Sequence, residues 1–296
     1  MNTASGTMPA VFVGHGSPMN AIESSEWTRG WAELARSMPR PRAILAVSAQ
    51  WYVPGVRGNA GERPRTIHDF GGFPPALYQV RYPAPGSAEL CRRVTELIGT
   101  EPAVAADQRW GLDHGTWSLL VHMCPEADIP VVQLSVDENP TPRAHYDLAK
   151  RLRPLRDEGV LILGSGNVVH NLHTYAWGLT RDELFDWGVR FNQRIREAVP
   201  AGRVDELIDY AAAVAPCTSP AAPVPPASPI PPRAALHHGS AVLRPTPQTA
   251  GVPPPEGAGR TCTRRTREGD GGRCGREPQP CVLLFQCQLP LRPRPA

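Results

Sequence analysis

Lysine is almost missing from this 296-residue sequence: Lys150 stands alone against thirty arginines, the bias of a GC-rich genome. No run of about eighteen consecutive apolar residues occurs, which excludes a membrane-spanning helix. The opening residues, MNTASGTMPAVFVGHG, have neither the basic start nor the long apolar stretch of a secretory signal. The seven cysteines match no CxxC metal pattern, and no disulfide framework is expected. These absences predict a reducing, cytoplasmic setting. A dominant charge sign is lacking too. The net charge of +3 sums residues 1–214 at −3 and residues 215–296 at +6, and a mildly acidic front piece excludes nucleic acid as its ligand.

What is present divides near residue 213. Continuous apolar runs predict strands at Ala10–Val13, Ala43–Val47, Ile129–Val136 and Val160–Leu163. Helical spacing, as in Trp27, Trp31, Leu34 and Met38, predicts helices at Glu26–Met38, Ser87–Ile98, Arg143–Leu155, Arg181–Ala198 and Val204–Ala213. Buried strands alternating with helices predict an α/β fold over residues 8–213, a mostly parallel sheet covered by helices on both faces. After that the periodicity stops. Of 35 prolines, 18 fall in the last 82 residues, and proline at that density removes backbone donors. Residues 214–296 therefore read as a disordered Pro/Arg-rich tail, whose abrupt onset is what a shifted reading frame would produce.

Polar motifs sit where the strands end. His15 follows the first strand, Gln50 the second, and His170 lies just past the fourth. In open α/β sheets ligands bind beyond the carboxyl ends of strands, so these side chains are expected to converge. Asp113-His114-Gly115-Thr116-Trp117 has the form of a capped helix start, with Asp113 at the cap and His114 on the loop. Imidazoles at strand ends suit a divalent transition metal. Their alternative is structural, a hydrogen-bonded histidine at each strand end. His122 is read as structural and His145 as a surface-helix residue. His173 and the His237–His238 pair are assigned no role.

Five segments occur in an order and spacing that resemble the class III extradiol ring-cleavage dioxygenases of the DOPA 4,5-dioxygenase type. They are GHGSPMNAI at 14–22, RPRTIHDFGGFP at 63–74, YQVRYPAPG at 78–86, GLDHGTW at 111–117 and GSGNVVHNL at 164–172. The resemblance implies extradiol cleavage of a small catecholic substrate by dioxygen, and one divalent metal per chain, Fe(II) or Zn(II). It places His15, Gln50 and His170 at the metal, His114 in a catalytic role, and His68 and Asp69 on the substrate side. It leaves room for a homo-oligomer. Two departures stand out: Gln50 occupies a position where the family has histidine, and the Pro-rich tail replaces the family's last strands and a further histidine. Two other readings follow, a degenerate homologue without a complete metal site and an interaction protein acting through PxxP segments such as Pro220–Pro223.

Overall fold

The four apolar runs become four adjacent strands of a six-stranded sheet. In the computed structural model, which describes residues 7–168 and 186–210, the strands are β1 (Ala10–Gly14), β2 (Ala43–Val53), β3 (Val56–Asn59), β4 (Val104–Asp107), β5 (Val131–Asp137) and β6 (Val160–Gly166). Their order is β1-β6-β2-β5-β3-β4. The β1–β6, β6–β2, β2–β5 and β3–β4 pairs are parallel, and β3 meets β5 antiparallel at Gly58 and Leu134. The sheet is thus largely parallel, as its unbroken apolar strands predict.

Helices α1 (Glu26–Ser37), α2 (Pro75–Tyr78), α3 (Ala88–Ile98), α4 (His114–Met123), α5 (Pro142–Arg151), α6 (Pro154–Asp157), α7 (Asp186–Ala198) and α8 (Val204–Ile208) accompany it. Their starts are chemically marked. Ser25 and Thr28 form a reciprocal capping box on α1, and the side chains of Ser87, Asp113 and Thr141 cap α3, α4 and α5. The helix predicted at Arg143–Leu155 is two pieces, because Pro154 has no N–H to donate back into a preceding turn.

Alternation along the strands builds two apolar layers. Ile44, Ala46, Val131, Leu161 and Leu163 pack with Trp31 of α1 and Trp117 of α4. Leu45, Val47, Val132, Leu134 and Ile162 pack with Leu90 and Val94 of α3. Each fully buried side chain of this kind contributes about 1.5–3 kcal/mol. Among the described residues no helix is long and apolar enough to cross a membrane. The expected tail at 214–296 lies outside the described residues.

Candidate active site

The site forms where β2 leaves regular pairing. β2 and β5 are in register from Ile44↔Val131 to Val47↔Leu134, and pairing resumes at Tyr52↔Val136. Ser48, Ala49, Gln50 and Trp51 therefore span a stretch in which β5 supplies only Ser135. Such an irregularity re-aims a side chain beside a functional site, and here it carries Gln50. On the other side, His15 follows β1 and is 2% exposed. Gly16, with φ +62°, turns the chain after it, and Asn20 Nδ2 donates to the His15 carbonyl at 2.9 Å.

Hydrogen-bond direction assigns a tautomer to His15. The Gly115 carbonyl can only accept, so the single Ser165 hydroxyl proton points at it. Ser165 Oγ must then accept from His15 Nδ1, 2.9 Å away. The neutral ring carries its proton on Nδ1, leaving the lone pair on Nε2. Gln50 Nε2 lies 3.2 Å from that nitrogen and, being an amide NH₂, donates to it. The chain runs Gln50 to His15 to Ser165 to Gly115. Ser165 thus does for His15 what an outer-shell partner does for a metal-bound histidine, while Gln50 covers the nitrogen a metal would use.

His114 stands beside this pair, its ring 5.3 Å from that of His15 and edge-on. It is the first residue of α4, not a loop residue as expected, because Asp113 caps the helix one position earlier. Asp69 reaches it from the 63–74 segment. Its Oδ1 accepts the His114 backbone N–H at 3.0 Å and lies 2.9 Å from Nδ1, off the axis of the ring N–H. Burial pushes the Asp69 carboxyl up, yet the His114 contacts outweigh it and hold the group below its ordinary value.

Asp113 itself is fully buried. Its Oδ1 accepts from Thr116 N at 3.2 Å, and Gln133 Nε2 donates to Oδ2. Gln133 N in turn donates to Asn59 Oδ1 at 2.9 Å. Burial, reinforced by the charge of Asp69, pushes the Asp113 carboxyl up to about 6, against the pull of its Ser48 and Gln133 hydrogen bonds. A side chain on Gly115 would collide with Ser48 Oγ, so only glycine lets α4 approach β2 this closely. Neither Ser165 nor Gln133 stands out by residue type. Ser165 is hinted at only by its place in the 164–172 segment.

Around His114 runs an aromatic wall. Phe70 lies 5.6 Å from His114, 5.2 Å from Phe73 and 5.3 Å from Tyr78, ring to ring. His68 packs behind it, 5.5 Å from Trp117, with Nε2 held at 3.2 Å from the Val80 carbonyl. The structure therefore gathers His15, Gln50, His114 and Asp69, and sets His68 one layer back. His170 lies outside the described residues. His122, read as structural, is tied to the Asn20 carbonyl at 2.7 Å.

Residues 9–219 match the family model of the catalytic LigB subunit of aromatic ring-opening dioxygenase. This chain belongs to that family. Among its relatives, a 4,5-DOPA dioxygenase extradiol of Escherichia coli K12 is 48% identical over 189 residues, covering 64% of this chain and 69% of the relative. Proteins of the same name from Beta vulgaris and Portulaca grandiflora are 40% and 37% identical, each covering 67% of this chain and 75% and 74% of their own length. The crystal structure of an uncharacterized Escherichia coli K12 protein superposes with a TM-score of 0.59 at 38% identity, covering 69% of this chain and 79% of that one.

LigB-family membership suggests metal-dependent chemistry, and the residues can be tested against it. A catalytic centre of this type takes about three protein donors and keeps one position open. Among the described residues no group of three His, Cys, Asp or Glu is placed to hold an ion. At the second strand end the donor is a neutral amide, already bonded to His15. The described residues do not fit the metal. The expectation of metal-dependent ring cleavage by this chain is corrected accordingly: the family is as expected, but the described residues hold no three-donor group to support the chemistry.

Proposed function

We propose that this chain is a degenerate LigB-family homologue that keeps the ring-binding side of the pocket but does not open catechols. The observation that carries this reading is the Gln50 amide covering His15 Nε2 at 3.2 Å. An amide is a poorer donor than imidazole to a borderline metal, and here it also covers Nε2 of His15. In this reading His114 and Asp69 face the ligand's hydroxyl groups, Phe70 forms the wall against its ring, and His68 supports that wall. The names of the relatives support a catecholic ligand class.

The test is a parallel Zn(II) and Fe(II) titration of the full chain, Gln50→His and His15→Ala at fixed pH, with oxygen uptake on a panel of catechols. Outer-shell partners alone change metal affinity about 10–100-fold, so restoring an imidazole is expected to tighten binding by about a hundredfold. Wild type is expected to bind weakly and to consume no oxygen. One tightly held equivalent in wild type, unchanged by Gln50→His, would overturn the proposal.

A further inference from the structure

A cavity of about 170 Å³ lies on the opposite side of the sheet from His15 and Gln50. Its walls are Val47, Leu134, Val136 and Ile162 from the strands, and Leu148 and Ala149 from α5. Apart from Leu148, these residues are at most 7% exposed, while exposed Ala144 and half-buried Pro102 and Pro140 complete the lining, so the cavity has a buried floor and opens toward the surface beside α5. Three polar side chains reach its edge, and each is drawn elsewhere. Ser135 Oγ accepts from Arg57 N at 2.8 Å and donates to the Gly55 carbonyl at 3.3 Å. Asp137 Oδ1 accepts from Gly55 N and Asn139 N at 3.0 and 3.1 Å. The ring nitrogens of His145 lie against the carbonyls of Thr141 and Asp137, at 3.2 and 2.9 Å.

A buried water needs about two to four polar partners, and these walls do not aim that many inward. An apolar cavity of about 150 Å³ accepts benzene or xenon, and this one is of similar size with predominantly apolar walls. We propose that the cavity is a binding site for a small uncharged apolar molecule of benzene to toluene size. Its occupancy is independent of the His15–Gln50 site, because the sheet separates the two and no side chain named here belongs to both.

Benzene is the probe, added to the full chain labelled at its Val, Leu and Ile methyl groups. The methyl signals of Val47, Leu134, Leu148 and Ile162 are expected to shift saturably. The thermal midpoint is expected to rise by roughly 3–5 °C at ten times Kd. Ala149→Leu adds a helix-compatible side chain into the cavity and is expected to abolish both effects. Val136→Leu serves the same end from the strand side, should the first variant fail to fold. Gln50→His is expected to leave both effects intact. Unmoved methyl signals up to the solubility limit of benzene would overturn the proposal. So would an unchanged response in a folded filling variant, or loss of the response in Gln50→His.

Discussion

Val47 and Ser48 are neighbours on β2, yet they belong to opposite environments. Ser48, Gln133 and Ser165 point to the α4 side, at 0%, 0% and 2% exposure, and join Asp113, Asn59 and His15 in a buried polar network. Val47, Leu134 and Ile162 point to the α3 and α5 side, equally buried, and pack in the second apolar layer beside the cavity. A strand's period of two makes this division possible, since each successive residue changes face. The two faces do different work. A buried polar group is costly unless bonded, so a network that satisfies most of its members has few alternative arrangements and holds side chains in place. An apolar layer is tolerant of detail and supplies stability by area. On the site face some cost remains, for Thr116 Oγ1 and Ser118 Oγ are buried without a hydrogen-bond partner among the described residues.

The comparison breaks most visibly on the apolar side. Leu134→Ala removes a side chain that is 2% exposed and enlarges an existing void, so a loss of about 2–5 kcal/mol is expected in urea unfolding. The site should not notice: Gln50→His in this background should titrate metal as it does alone. A cost below about 1 kcal/mol would mean that the α5 face is loosely packed. A changed titration would mean that the faces are coupled.

The same division explains what could be read from the sequence. β1, β2, β5 and β6 are legible because buried parallel strands are unbroken apolar runs. β3 (VRGN) and β4 (VAAD) are not, since at four residues, one interrupted by Gly58, they carry no pattern of their own. β2 runs to Val53, six residues beyond its apolar stretch, because Ser48 to Trp51 are held by tertiary contacts and not by propensity. At the site, motif position pointed to His15, Gln50 and His114, and the family resemblance to Asp69. What they could not disclose is direction: the tautomer of His15 depends on Gly115 and Ser165, fifty residues apart, meeting at the end of α4.

Asp113 offers a sharper contrast between the faces, because among the described residues it is a buried carboxyl on the site face whose pKa is raised from 3.8 to about 6. The sign follows from proton counting. Between about pH 4 and 6 the folded chain binds more proton at Asp113 than the unfolded chain, so stability falls as pH rises through that window. The loss from this group alone is about 3 kcal/mol by pH 7. Asp69, held low, contributes in the opposite sense, with stability that is lost on acidification. The informative quantity is therefore the difference between wild type and Asp113→Asn, which keeps a competent helix cap but cannot ionise. Urea unfolding at pH 4, 5, 6 and 7 should show the variant gaining relative to wild type as pH rises. Parallel curves would show that Asp113 ionises in the fold at little cost.

Ser165→Ala has the smallest expected effect on stability and the most specific one on the site. The serine accepts from His15 Nδ1 and donates to the Gly115 carbonyl, so its loss leaves a buried donor and a buried acceptor each short of a partner. A cost of about 1–2 kcal/mol is expected in urea unfolding. The decisive readout is the ¹⁵N spectrum of the His15 imidazole at a pH where the ring is neutral. In wild type Nδ1 should resonate as a protonated nitrogen and Nε2 as a bare one accepting from Gln50. In Ser165→Ala the constraint from Gly115 is gone, and the two tautomers should mix. A wild-type spectrum with the proton on Nε2 would reverse the whole chain. Gln50 would then face His15 through its carbonyl oxygen, and the lone pair would lie on Nδ1, toward Ser165. In that case Gln50 would not cap the nitrogen a metal needs, and the degenerate reading would rest alone on the lack of a three-donor group among the described residues.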